Sequence, residues 1–172
     1  QEVSLVTGKV VYDCFGRTLR QYHPFTEPLG TEELYNDSVT AGTETVTKYD
    51  LMDRQIRVTV PGNYTTYFNY GFGTHNGNRY FSTTTTDALS NSVTVLKGSL
   101  GEQIKIIAPM NTVTIFEYSP LGQLLRSTDP DGMQTSYQYD MLGRMTQRVH
   151  PDAGTDKYFY DSAGGLVWHT NG

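Results

Sequence analysis

Apolar and polar residues alternate along much of this chain. In Thr135-Ser136-Tyr137-Gln138-Tyr139 the tyrosines take every second position, and in Met145-Thr146-Gln147-Arg148-Val149 the apolar side chains stand four apart on one face. Ile56, Val58 and Val60 line one face of a further stretch, Thr66, Phe68 and Tyr70 another, and Ile104, Ile106, Val113 and Ile115 add an aliphatic face. Successive side chains of a strand point to opposite sides, so a period of two predicts strands with one better-buried face. No segment keeps a helical period beyond a turn or two, and Thr31-Glu32-Glu33-Leu34 is read as a short helical turn. Extended structure is expected to resume near Glu44.

Turn signals punctuate these runs at a fixed interval. Tyr118, Tyr139 and Tyr160 follow one another at 21 residues, and each opens a phrase of aromatic, usually Asp, two variable residues and Gly. In Tyr139-Asp140-Met141-Leu142-Gly143-Arg144, Asp140 suits the first position of a type I turn, its carboxylate accepting from a backbone N–H two residues on. Gly143 supplies the left-handed conformation that returns the chain to a strand through a bulge. Asp129-Pro130-Asp131-Gly132 and His150-Pro151-Asp152-Ala153-Gly154 read as second turns within the period. One period is therefore two strands and two turns, an antiparallel meander.

Eight phrases are counted, beginning at Tyr12, Tyr49, Tyr70, Thr86, Lys97, Tyr118, Tyr139 and Tyr160. Asp53 stands where Gly is expected in the second, and Tyr70-Gly71-Phe72-Gly73 lacks the Asp. His75-Asn76-Gly77-Asn78 is a polar hairpin tip, and Pro61-Gly62 signals a type II turn. Thr86 and Lys97 lie only 11 residues apart, which predicts a short hairpin between them. The chain divides into a first repeat at 1–22, an irregular insertion at 23–48, degenerate repeats at 49–117 and regular 21-residue repeats at 118–172.

The phrases YDCFGR and YDMLGR, with their spacing, resemble the YD repeat of the RHS (rearrangement hotspot) family. That family includes B and C subunits of bacterial insecticidal toxin complexes, bacterial RHS toxins, wall-associated proteins and the animal teneurins. The motif residues that carry the resemblance are Tyr12, Asp13, Gly16 and Arg17; Tyr49 and Asp50; Tyr118 and Gly122; Asp129 and Gly132; Tyr139, Asp140, Gly143 and Arg144; and Tyr160, Asp161 and Gly164. It implies an all-β fold of consecutive antiparallel β-hairpins forming a curved strip of sheet. Eight phrases are too few to close a large shell, so the strip is expected to be open. Exposed strand edges invite pairing with a second copy.

Composition narrows the function classes. Of 172 residues, 13 are Tyr, which suits a half-wet sheet because the ring covers area and the hydroxyl stays polar. The formal net charge of −5 and the lack of a basic run argue against nucleic acid and anionic membrane as partners. No apolar stretch approaches the roughly 20 residues of a membrane helix. The single Cys14 sits at a variable turn position and has no partner for an internal disulfide. The chain begins at Gln1 and stops soon after its last turn, so a piece of a longer protein is expected.

Catalytic, metal and cofactor sites are expected to be absent. His23, His75, His150 and His169 lack metal-ligand spacing, and Asp129 to Gly132 lacks the later acidic ligand of a calcium loop. Tyr118-Ser119-Pro120-Leu121-Gly122 to Asp129-Pro130 resembles the RHS core motif YDPxxGRFxxxDP, associated with aspartic self-cleavage. It departs in Ser119 for Asp, one residue fewer before Gly122, and Gln123-Leu124 for Arg-Phe, and an acid protease needs a second carboxylate. Tyr137, Tyr139, Tyr158 and Tyr160 are candidates for sugar stacking, weighed against cross-strand packing. The leading expectation is a non-catalytic wall segment of a secreted or surface RHS protein that encapsulates or presents a C-terminal toxin, effector or adhesive domain. Its partners would be the remaining repeats and C-terminal domain of the parent chain. A carbohydrate- or receptor-binding module and a self-processing protease region are the alternatives.

Overall fold

The structure, a computed structural model, describes residues Val3–Pro28 and Glu44–Gly172. The helical turn expected at 31–34, and most of the 23–48 insertion, lie outside the described residues. Sixteen strands follow in order: β1 (Val3–Val6), β2 (Val10–Tyr12), β3 (Thr18–Tyr22), β4 (Phe25–Pro28), β5 (Glu44–Tyr49), β6 (Gln55–Val60), β7 (Tyr64–His75), β8 (Asn78–Thr86), β9 (Ser92–Lys97), β10 (Gln103–Ala108), β11 (Thr112–Tyr118), β12 (Leu124–Thr128), β13 (Gln134–Tyr139), β14 (Met145–His150), β15 (Gly154–Tyr160) and β16 (Leu166–Asn171). A single 3₁₀ turn at Pro109–Asn111 is the one helical element among the described residues.

β1 and β4 form a two-stranded sheet, and the other fourteen strands form an antiparallel meander in which each strand pairs with its sequence neighbours, β4 apart. β2 and β16 stand at its two ends and do not pair with each other, so the sheet is open rather than a barrel. The chain separates into two compact units, 1–69 with 84–92, and 70–83 with 93–172.

In the first unit, β2 pairs with β3, β3 with β5, β5 with β6 and β6 with β7. Val58 lies opposite Thr66, so the apolar faces read from the sequence do meet across the ladder. In the second unit β9 to β16 run as one meander. Tyr137, Arg148 and Asp156 lie opposite one another on three successive strands and share a face. Burial is shallow throughout. Leu96, 3% exposed, is the one fully buried apolar side chain among the described residues. With so few side chains fully covered among the described residues, much of the stability rests on backbone ladders and half-covered cross-strand pairs.

Two expectations are corrected here. Tyr70-Gly71-Phe72-Gly73 is not a turn: β7 runs straight through it, and the chain reverses at Asn76-Gly77 instead. Gly73 serves packing. A Cβ at Gly73 would run into the Leu96 side chain, so Gly73 leaves the room that Leu96 fills. Nor does a hairpin lie between the Thr86 and Lys97 phrases. One strand, β9, separates them, and their turns fall at its opposite ends.

Candidate functional site: the repeated turn and its arginine latch

Eight turns among the described residues share one form, starting at Asp13, Asp50, Asp87, Gly98, Ser119, Asp129, Asp140 and Asp161. In each, the N–H of the fourth residue donates to the carbonyl of the first, and the N–H of the first donates to the carbonyl of the fifth. At Asp140 these distances are 3.0 Å from Gly143 and 2.9 Å to Arg144. Gly143 has φ of 82°, and the strand register shifts between Gln138 and Tyr139. This is a type I turn closed by a left-handed residue and a bulge. Asp129–Gly132, read from the sequence as the second turn within a period, has the same bonds.

The first side chain completes the turn. Asp140 Oδ1 accepts from Leu142 N and Arg144 N, both at 2.9 Å. Its other oxygen accepts from Arg144 Nε at 2.7 Å. Asp13 does the same with Phe15, Arg17 and the Arg17 guanidinium, and Asp50 with Met52 and Arg54. These donors hold the carboxyls below the ordinary range. At Asp140 and Asp50 the backbone N–H of the arginine leads. At Asp13 desolvation pushes upward but is outweighed by the bonds from Arg17 and Phe15.

The arginine then reaches the next turn along the same edge of the sheet. Arg144 Nη1 donates to the Asp161 carbonyl at 3.3 Å, and its guanidinium lies 4.7 Å from the centre of the Tyr160 ring. Tyr160 answers by donating its hydroxyl to the Met145 carbonyl at 2.8 Å. The first unit repeats this arrangement. Arg17 reaches the Asp50 carbonyl at 3.2 Å and the Asp53 carboxylate, sits 4.8 Å from the Tyr49 ring centre, and Tyr49 donates to Thr18 O at 3.0 Å. So the Arg of one phrase and the Tyr and Asp of the following one form a reciprocal latch between repeats. Tyr12, at the first phrase, is 60% exposed.

The other turns vary this theme. Asp87 pairs with Asn91, whose side-chain amide is the leading cause of its lowered pKa. Ser119 Oγ accepts weakly from Leu121 N at 3.3 Å and Gln123 N at 3.2 Å. Asp129 Oδ1 accepts from Asp131 N and Met133 N, so its carboxylate is occupied within its own turn. Asp161 binds Gly165 N at 2.8 Å. At Gly98 the roles reverse. Glu102, at the arginine position, folds back, and its Oε2 accepts from Leu100 N at 2.9 Å. A Cβ at Gly98 would collide with that carboxylate.

The four tyrosines considered for sugar stacking are all half-buried. Tyr160 lies under Arg144, and Tyr158 stacks on His169 at 4.8 Å. Burial, with neighbouring Tyr137 and Tyr118, raises the Tyr139 pKa. Sequence reading missed the Gly98–Glu102 pair and a charged cluster around Asp156. That carboxylate is 4% exposed and takes two bonds from the Arg148 guanidinium and one contact from His169 Nε2 at 3.3 Å. The hairpin register about the turn at 151–153 places Arg148 opposite Asp156, a signal present in the sequence.

A meander of hairpins closed by one recurrent turn, with Arg–Tyr latches at Tyr49 and Tyr160, makes this a chain of β-hairpin repeats. Residues 118–155 match the family model described as RHS Repeat. Among solved structures, it is similar to TcdB2-TccC3 (17% identity, TM-score 0.70), to TcdB2-TccC3 without hypervariable C-terminal region (18%, 0.68), and to the Photorhabdus luminescens Tc holotoxin pore (18%, 0.67). Each match covers 97% of this chain and 9% of the other, so the chain spans about a tenth of the length of those proteins. At that identity the likeness establishes the fold. Among curated proteins no sequence matches.

Proposed function

We propose that this chain is a non-catalytic wall segment of an RHS-repeat protein, part of a β-shell that encloses or presents a C-terminal toxin or effector domain of the same parent chain. The observation that carries the reading is the latch. The motif's charged and aromatic side chains are spent on joining one hairpin to the next, and Asp13, Asp50, Asp140 and their arginines are already satisfied by each other. Such a sheet supplies wall surface rather than chemistry. The parent's remaining repeats are the natural partners. In the second unit the turn tips Leu100, Leu121 and Leu142 are 76–85% exposed at the 21-residue period, an apolar row suited to cover by further sheet. A secreted or cell-surface location fits this role.

The test is limited proteolysis of the parent protein, reading cleavage of the domain beyond the repeats. That domain should resist protease in the intact chain and be cut once Gly143→Val and Gly164→Val, which disfavour the required positive φ, open the wall. Equal cleavage in both proteins would overturn the shell reading.

A further inference from the structure

The two complete latches show what a YD tyrosine ordinarily carries over its ring: the guanidinium of the preceding turn, 4.8 Å away at Tyr49 and 4.7 Å at Tyr160. Tyr118 occupies the same place relative to the turn that starts at Gly98. That turn has Glu102 where the others have arginine, so among the described residues no cation lies over the Tyr118 ring. Instead burial of the ring, with the Glu102 carboxylate nearby, pushes the Tyr118 hydroxyl above its usual range. Among the described residues, one Glu102 oxygen is engaged, by Leu100 N.

The place left by the missing arginine is hollow. A concavity of about 400 Å³, within the range of small-ligand sites, has His75, Tyr80, Glu102, Ile104, Phe116 and Tyr118 in its lining. An aromatic ring and a half-buried carboxylate with an unused oxygen are the kinds of group that hold Arg17 and Arg144 in the complete latches.

We propose that this hollow is a socket for an arginine side chain of a partner polypeptide, which would complete from outside the latch that the sequence leaves open at Glu102. The guanidinium would lie over the Tyr118 ring and donate to Glu102. Arginine fits better than a neutral polar group because the ring face and the carboxylate both favour positive charge, and the net charge of −5 draws a basic segment in.

The experiment is a titration of the isotope-labelled chain with a short Gly/Ser peptide carrying one arginine, read by amide NMR shifts, beside the same peptide with citrulline, a neutral isostere. The expected result is saturable shifts at Tyr80, Glu102 and Tyr118 with arginine only, and an affinity roughly tenfold weaker in Glu102→Gln, whose amide oxygen can still accept from Leu100 N. Tyr118→Phe, which keeps a ring, should bind, and Tyr118→Leu should not. Equal binding of the citrulline peptide, unchanged affinity in Glu102→Gln, or no shifts at millimolar arginine peptide would each overturn the socket. None of these outcomes depends on the chain being part of a shell.

Discussion

At the scale of single residues, the eight turns form a natural substitution series on one backbone geometry. The first position is Asp in six, Ser119 in one and Gly98 in one, and the left-handed fourth position is Gly in six, Asp53 and Ser90 in the others. Ser90 holds φ of 67° and is exposed, so it bears the cost of a left-handed L-residue. Ser90→Gly should stabilise the chain by about 1 kcal/mol, seen as a higher urea midpoint at unchanged slope. Asp53 bears the same strain at φ 60°, but its carboxylate receives Arg17, so Asp53→Gly should gain less than Ser90→Gly. Gly98 and Glu102 form a compensating pair. Gly98→Asp alone should cost no more than about 0.5 kcal/mol, because the Glu102 carboxylate can swing away but leaves two like charges close together, while Gly98→Asp with Glu102→Arg should be more stable than the single variant by installing the common pairing. If the double variant melts no higher than the single one, the pairing is misread. The Asp role and the need for Gly143 were legible in the sequence because turn chemistry is local. The reversal at Gly98 was not, because its carboxylate comes from four residues later.

At the scale of strands and turns, the bonds that matter run between repeats. Tyr160 donates to the Met145 carbonyl while lying under Arg144, so Tyr160→Phe should cost about 1 kcal/mol and leave the ring packing in place. A thermal melt unchanged by that substitution would remove the hydroxyl from the latch. The turn carboxylates also set a pH dependence. Asp13, Asp50, Asp87, Asp140 and Asp156 all have pKa values lowered from the ordinary 3.8. A group depressed on folding contributes its stability above its unfolded value and loses it as pH falls through its folded value. The melting temperature should therefore hold down to about pH 4, as set by that ordinary value, and drop steeply below it. The strand faces and most bends were readable from alternation and Gly/Asp punctuation. The Tyr70 phrase misled because glycine in a strand can make room for a neighbour, here Leu96, instead of turning the chain, and that neighbour is distant in sequence.

At the scale of the whole molecule, the meander among the described residues pairs only neighbouring strands and leaves two strands, β2 and β16, at its ends. β16 also shows Leu166, Val167 and Trp168, each more than half exposed. Edges of this kind pair with other chains, so the isolated chain should self-associate at high concentration, and Val167→Lys should shift sedimentation toward the monomer. A single monomeric boundary at all concentrations would argue against it. The central claim, that successive hairpins closed by one recurrent turn build this sheet, is most directly tested by nuclear Overhauser contacts between strands in solution. The account predicts cross-strand contacts for Ser136–Val149, Val149–Thr155 and Ser127–Thr135, all between sequence-adjacent strands. Strong contacts between strands distant in sequence, with these pairs missing, would contradict it.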